Sequence, residues 1–156
     1  RMAGDKMNSD IASYIKNKHG LVIGEHTAEK IKMELGTALR VDDPETMDVR
    51  GRDVATGMPK QITVNENEIE EALHDTLEQI VSAAVNVLET IPPELASDII
   101  DRGIMLTGGT SLLKGVDQLF SARLKVPVVV SQDPLDNVAK GAGEMLERMQ
   151  KTERKK

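Results

Sequence analysis

The sequence contains no cysteine and no tryptophan, and its only aromatic side chains are those of Tyr14 and Phe120. Without thiols it can form neither disulfide bonds nor thiolate metal sites, and it suits a reducing compartment. We therefore expect a cytoplasmic protein. Because aromatic rings are so few while hydrophobic residues make up 39% of the 156 positions, the core must consist of aliphatic side chains and methionine.

The chain also lacks a basic surface stripe and a long apolar segment. Its formal charge is −6, and it shows no run of cationic residues with interleaved aromatic residues. Since that pattern is typical of nucleic-acid binding, we expect no nucleic-acid partner. The only cationic cluster, at 151–156, is predicted to be a disordered, solvated tail. No apolar run approaches the roughly 20 residues of a membrane-spanning helix.

Residue patterns for metal binding and covalent catalysis are missing as well. His19, His26 and His74 are scattered and share no metal-ligand spacing. The neighbouring carboxylates at 42–43 and 70–71 are interpreted as loop and helix-surface charges rather than as an acid–base pair. The sequence therefore predicts no catalytic residue and no metal ligand.

What the sequence does contain is a clear order of helical and strand patterns. The predicted elements of the first half are a helix over 5–18, a short apolar segment over 21–23, a helix over 28–35 with Thr27 as its N-cap, and a hairpin with strands over 46–56 and 58–64. Those of the second half are a long helix over 66–90, a helix starting at Pro92 or Pro93, strands over 104–106 and 126–131, and a last helix through Gln150.

Two local patterns refine this outline. Asn65 and Glu68 have the spacing of a capping box at the start of the long helix. Gly141 and Gly143 lie inside the last helix, where glycine is unfavourable, and they indicate that another backbone or a ligand lies close. The larger part of the protein would comprise 1–20 and 66–150, and 21–65 would form an insertion, with a natural ligand cleft between the two parts.

The stretch 103–121 is predicted to be a strand, a tight turn at Gly108 and Gly109, and a helix capped by Thr110 or Ser111. A glycine turn between the carboxyl end of a strand and the start of a helix is where α/β sheets often bind phosphorylated ligands. A plain structural turn explains the same residues equally well, so this stretch alone leaves both interpretations open.

Several separated motifs resemble the MreB family of bacterial actin homologues. They are GIMLTGGTSLLKG at 103–115, PPELASDI at 92–99, DPL at 133–135, IGEHTAEKIK at 23–32 and VRGRD at 49–53. They occur in the family's order and span nearly the whole chain. The resemblance implies an α/β, actin-like ATPase fold with a ribonuclease H-like sheet. It further implies that the chain matches the carboxyl-terminal half of such a protein, with subdomain IIA at 1–20 and 66–150 and a small α+β subdomain IIB inserted at 21–65.

The same resemblance implies a function. Family members polymerise with ATP into filaments beneath the membrane and maintain bacterial cell shape, so the expected partners are further copies of the protein and cell-wall morphogenesis proteins. Membrane contact would come through parts outside this sequence. Two alternatives remain open: another actin-superfold ATPase, such as a sugar or acid kinase or a chaperone ATPase domain, and a non-catalytic interaction module that uses the hairpin at 46–64.

One motif that the resemblance links to nucleotide is the segment Glu29, Lys30, Ile31 and Lys32, which would contact adenosine. Glu29 and Lys32 are three residues apart and share a helix face. A carboxylate can accept hydrogen bonds from ribose hydroxyls, and a lysine stem can cover an adenine ring. Without the resemblance, an ordinary solvated helix face would be the better interpretation.

The second motif comprises Gly108, Gly109, Thr110 and Ser111. Thr110 stands where the family usually has a third glycine, which stiffens the turn and adds a Cβ near the expected ligand. The implied cofactor is ATP or ADP with Mg²⁺ in the intact protein. The family's phosphate loops and the residue that orients the attacking water precede the segment matching Arg1. Since phosphoryl transfer needs these groups together, we expect this chain alone to bind nucleotide weakly or not at all and not to hydrolyse it.

Overall fold

The computed structural model describes residues 2–153, in which the chain forms helices and strands in the predicted order. The helices are α1 (Met2–His19), α2 (Glu25–Leu35), α3 (Glu66–Thr90), α4 (Pro93–Arg102), α5 (Val116–Leu124) and α6 (Asn137–Glu153), with a 3-10 turn at Gly109–Leu112. The strands are β1 (Leu21–Val22), β2 (Thr46–Asp53), β3 (Pro59–Asn65), β4 (Ile104–Leu106) and β5 (Val128–Val130). Within this described range, no helix is long and apolar enough to cross a membrane.

The strands of the first half form an antiparallel sheet in the order β1–β2–β3. The predicted hairpin is confirmed, and Val49 lies opposite Ile62 in its register. Its turn is longer than predicted. The strand ends at Asp53, whose carboxylate accepts hydrogen bonds from the backbone N–H groups of Ala55 and Thr56 at 3.0 and 2.9 Å. Such side-chain-to-backbone bonds compete with strand pairing.

The second half contains a parallel pair of strands, β4 and β5, which confirms the predicted neighbours. Met105 and Val129 are partners in this register, and both are more than half exposed. Parallel sheets are ordinarily covered on both faces. Within the described residues, this small sheet therefore presents one uncovered apolar face.

The main core is aliphatic, as the composition predicts. Met7, Ile11 and Ile15 recur at helical spacing along α1 and are fully buried. Other fully or nearly fully buried members, contributed by α2, the hairpin and α3, are Ile31, Val49, Val64, Ile69, Leu73, Leu77 and Val81. Phe120 of α5 joins the same cluster, so the core extends from the first half to the glycine-turn region.

The predicted start of α2 is wrong. This helix begins at Glu25 after Gly24, and no side chain caps it, so Thr27 is a helical residue rather than the N-cap. The sequence pattern missed the first turn because its residues, Glu25 and His26, are polar and exposed and add nothing to the apolar stripe.

The helix predicted directly after the glycine turn is also interrupted. A 3-10 turn comes first, Leu113 is extended, Gly115 adopts the left-handed conformation at φ 72°, and only then does α5 begin. Neither Thr110 nor Ser111 caps α5, because Gly115 occupies its N-cap position. The apolar residues keep a helical spacing across this interruption, so the periodicity of the sequence could not reveal the interruption.

The last helix differs from the prediction in its surroundings and its length. A Cβ at Gly141 or Gly143 would meet no atom within 4 Å, so no other part of the described chain lies close there, and a ligand or another backbone beside these glycines stays a prediction. Helix α6 continues through Glu153, so 151–153 of the predicted disordered tail are helical. Residues 154–156 of that tail lie outside the described residues.

A short connection ties the segment after α2 to the segment after the glycine turn. Thr37 and Lys114 form a parallel β-bridge. The backbone N–H of Lys114 donates to the carbonyl of Gly36 at 3.0 Å, and the N–H of Ala38 donates to the carbonyl of Lys114 at 2.8 Å. Because Gly36, Thr37 and Ala38 are buried, water competes little for these bonds.

The capping box at the start of α3 is confirmed and gives a first prediction. The Asn65 side chain accepts from the backbone N–H of Glu68 at 3.1 Å, and the Glu68 carboxylate accepts from the N–H of Asn65 at 3.0 Å. We expect Asn65→Ala to lower the free energy of unfolding by about 1 kcal/mol, measured by urea denaturation. Asn86→Ala, an exposed change on the same helix, is the control and should have no destabilising effect. Equal stability of Asn65→Ala and the parent protein would contradict the prediction.

The fit of Gly36 gives a second prediction. A Cβ at this position would lie 2.1 Å from the carbonyl oxygen of Lys32 and 2.5 Å from Cδ2 of Leu113. Since the first of these atoms is backbone and cannot move cheaply, we expect Gly36→Ala to cost about 1–3 kcal/mol in urea denaturation. Gly141→Ala, where the added Cβ has open space inside α6, is the control and should not destabilise the protein. A Gly36→Ala variant as stable as Gly141→Ala would show that the bridge tolerates the added Cβ.

Candidate functional site

Two loops meet where β4 and β5 end. The Gly108 N–H and the Thr107 hydroxyl both donate to the carbonyl of Pro134, at 2.8 and 3.0 Å. The Asn137 side-chain amide donates to the Ser131 hydroxyl at 2.5 Å and so fixes the start of α6 to the same place. Carboxyl ends of neighbouring parallel strands are the usual ligand position in α/β sheets.

The glycine turn keeps its backbone open on one side. Gly108 has φ 86°, a conformation that side chains disfavour, and a Cβ there would meet nothing within 4 Å. Gly109 is exposed, and the nearest atom to a Cβ there is Cδ2 of Leu135 at 3.6 Å. The turn can therefore admit a ligand close to its main chain.

Thr110 and Ser111 have different roles from those expected of capping residues. Ser111 is buried, and its hydroxyl donates to the carbonyl of Gly108 at 2.7 Å, which holds the turn closed. The carbonyl of Thr110 accepts from the N–H of Leu113 at 3.3 Å. Thr110 thus stands in a 3-10 turn with ordinary backbone geometry, where a side chain in place of glycine causes no strain.

The predicted adenosine-contact segment 29–32, called the Glu-x-x-Lys motif below, has side chains that point in different directions. Glu29 and Lys30 are exposed, and Lys30 pairs with Glu34 at 3.7 Å. Ile31 is fully buried in the core, so its side chain supports α2 and is not available to a ligand. Lys32 reaches across to α1.

Lys32 links α2 to the first turns of α1. Its ammonium group donates to the Asn8 side-chain oxygen at 2.7 Å and to the carbonyl of Gly4 at 3.3 Å. Asn8 is buried, so this contact satisfies a polar group that would otherwise be costly. Of the motif's two charged residues at i and i+3, Lys32 is held in place and Glu29 is free to meet a ligand from solvent.

A main-chain connection links the segments that follow the two predicted motifs. Helix α1 contacts both α2 and the 3-10 turn. The Gly36–Lys114 hydrogen bond starts four residues after Lys32 and ends three residues after Ser111. The two motifs are therefore linked through a few residues of main chain, and α1 contacts both α2 and the 3-10 turn.

A charged cluster beside this connection was not predicted from the sequence. The Lys114 ammonium group lies 2.5 Å from Glu66 and 2.9 Å from Glu45. Burial raises the pKa of Glu66, but the Lys114 ammonium group and a backbone N–H from Glu45 more than offset this effect, so the pKa lies below its ordinary value. In the sequence, Lys114 only stands directly after two leucines, and this pattern is too common to predict an ion pair.

A polar cavity of about 320 Å³ lies elsewhere, between the end of α1 and the start of α3. Its lining residues are Lys18, Arg40, Pro44, Asn65, Asn67, Glu68 and Glu71. Their charges are largely paired with one another, as between Lys18 and Glu71 at 3.3 Å. None of the predicted nucleotide-contact residues lines this cavity. Among the described residues, no group of three or more metal-ligating side chains is close enough to hold a metal ion.

Comparison with known proteins bears directly on this arrangement. The profile of the MreB/Mbl protein family matches residues 1–154. The chain is 50% identical over 156 residues to the cell shape-determining protein Mbl of Bacillus subtilis (strain 168), and the match covers 100% of the chain and 47% of that relative. The chain thus spans about half the length of the curated relatives it matches.

Solved structures give the same result. The crystal structure of MreB 5 of Spiroplasma citri bound to AMPPNP superposes with a TM-score of 0.92 at 30% identity, over 97% of this chain and 46% of that one. The MamK double helical filament superposes with a TM-score of 0.75 at 18% identity, over 92% of this chain and 44% of that one, which shows likeness of fold only. The arrangement of helices and sheets described above is therefore the actin-like fold, and the chain belongs to the MreB/Mbl family.

Proposed function

We propose that this chain forms the adenosine side of an ATP or ADP site in an actin-like cytoskeletal protein. The observation that supports the proposal is the main-chain connection between Gly36 and Lys114, which links the segment after the glycine turn to the end of the helix bearing Glu29. The open backbone at Gly108 and Gly109 and the exposed carboxylate of Glu29 are the groups on which nucleotide would lie. Glu29 would accept hydrogen bonds from ribose hydroxyls, and the turn's N–H groups would donate to the ligand.

The nucleotide-bound relatives support this assignment. MreB 5 of Spiroplasma citri was crystallised with AMPPNP and with ADP, at TM-scores of 0.92 and 0.93 to this chain. In our proposal Lys30 and Lys32 remain part of the adenosine face, Lys32 through its stem, because its ammonium group is held by Asn8. Ile31 contributes as buried support. Mg²⁺ and the phosphate contacts would be provided by other parts of the full-length protein, so the chain alone should bind nucleotide weakly.

The division of the chain follows from the same proposal. We assign 1–20 and 66–150 to subdomain IIA and 21–65 to the inserted subdomain IIB. The antiparallel sheet lies within 21–65, and the parallel pair lies within 66–150. Helices α1 and α3 pack against each other from either side of the insertion in sequence, as one subdomain requires.

At the level of the whole protein, we propose ATP-dependent polymerisation into membrane-associated filaments that maintain bacterial cell shape. The support is the relative named as a cell shape-determining protein and the MamK filament with the same fold. Further copies of the protein would be its main partner, together with cell-wall morphogenesis proteins. Family membership gives no support to the alternatives of a sugar kinase, a chaperone ATPase domain or a purely non-catalytic interaction module.

The role of Glu29 can be tested by substitution. In the full-length protein, Glu29→Ala should weaken ADP binding about tenfold in isothermal titration, because a hydrogen bond to a charged group is lost. Stability should not change, since the side chain is exposed. Glu89→Ala removes an exposed carboxylate on α3, outside the proposed adenosine face, and is the control. Equal affinities of the Glu29→Ala and Glu89→Ala variants would rule out a ligand contact at Glu29.

The polymer can be examined by electron microscopy of the full-length protein. With ATP and Mg²⁺ we expect filaments, and without nucleotide we expect few or none. Discrete particles with ATP, combined with phosphorylation of a small substrate, would instead indicate another ATPase of the same superfold.

A further inference from the structure

Lys114 joins three parts of the molecule that are distant in sequence. Its main chain forms the bridge to Gly36, Thr37 and Ala38, and the Thr37 hydroxyl donates to its carbonyl at 3.3 Å. Its side chain leaves in another direction and ends between Glu45 and Glu66. One residue thus fixes the end of the glycine-turn segment at both its backbone and its side chain.

The two carboxylates mark the base of the β2–β3 hairpin. Glu45 immediately precedes β2, and Glu66 immediately follows β3. The two are joined directly as well, since the N–H of Glu66 donates to the carbonyl of Glu45 at 3.1 Å and the N–H of Glu45 donates to the Glu66 carboxylate at 3.0 Å. Lys114 therefore binds two carboxylates that together form the base of the hairpin, rather than two unrelated surface charges.

Burial distinguishes this cluster from an ordinary surface ion pair. The Glu66 side chain is only 4% exposed, whereas that of Glu45 is 68% exposed. Exposed pairs contribute little, but a buried carboxylate depends on its cation, because a lone charge out of water is costly. The carboxylate of Glu66 consequently fixes the ammonium group, and the ammonium group fixes the chain three residues beyond Ser111.

We propose that Lys114 is a positioning residue of the nucleotide site, where its ammonium group locks the glycine turn onto the base of the β2–β3 hairpin. This inference rests on the proposed nucleotide function and adds a regulatory consequence to it. A displacement of the hairpin base would pull on the turn, and a ligand that orders the turn would restrain the hairpin. Nucleotide occupancy and hairpin orientation are thereby coupled through one side chain.

The first test follows the glycine turn itself and needs no nucleotide. Hydrogen exchange of the full-length protein is measured at the amides of Gly108, Ser111 and Leu113, which donate within the turn region. We expect Lys114→Met to speed this exchange about tenfold, the effect of losing one charge-assisted hydrogen bond. Lys114→Arg keeps the cation and should retain most of the protection. Lys16→Met, an exposed lysine on α1, is the control and should change nothing.

A second variant separates an effect on the glycine turn from a general loss of stability. Lys114→Met leaves Glu66 charged and buried, so Lys114→Met combined with Glu66→Gln removes both charges and should regain stability. Positioning by the ammonium group predicts that the double variant is stable but still has fast exchange at the turn. If turn protection returns together with stability, or if Lys114→Met speeds exchange only at Glu45 and Glu66, the proposal is wrong.

Nucleotide affinity separates this inference from the proposed function. In titrations with ADP, we expect the double variant to bind about tenfold more weakly than the parent protein while Lys114→Arg binds nearly as well. If the parent protein binds no ADP, the proposed function fails, and the positioning role is decided by the exchange data alone. If the parent binds and the double variant binds equally tightly, nucleotide binding stands and the positioning role is overturned.

Discussion

The structure depends on how one short segment, Leu113 to Gly115, is held. Its main chain pairs with the residues that follow α2, its lysine reaches a buried carboxylate at the hairpin base, and its left-handed glycine packs against Leu39. These contacts use backbone hydrogen bonds, an ion pair and close packing at adjacent positions. Together they hold the main chain of the segment, the Lys114 side chain and the position of Gly115.

In the proposed nucleotide site, this constraint links the two predicted motifs. The glycine turn and the Glu-x-x-Lys helix are separated by more than 70 residues, and neither contacts the other through a long interface. Their relative position is instead set at their carboxyl ends by the Gly36–Lys114 connection, and at the other side by α1, which contacts both. A ligand between them would meet surfaces that are already fixed, which limits the ordering cost of binding.

The two halves of the chain differ in how many of their hydrophobic side chains are buried. The first half and α3 surround an aliphatic core with fully buried side chains, whereas α4 and α6 have no buried hydrophobic residue among those described. The apolar face of the β4–β5 pair is likewise open. The relatives that this chain matches are about twice as long, and the exposed apolar surface is confined to this second region and a few isolated positions.

The sequence by itself determined the order and type of nearly all elements, the aliphatic core, the capping box and the family. These features depend on local spacing and composition, which a linear pattern carries directly. Only the tertiary structure decided that Ile31 points into the core, that Lys32 binds Asn8, and that Lys114 reaches Glu66. It also decided where the helix after the glycine turn begins, because the pairing of Lys114 with Thr37 removes that residue from the helix. Contacts between residues far apart in the chain leave no periodic trace, and the proposed site depends on them.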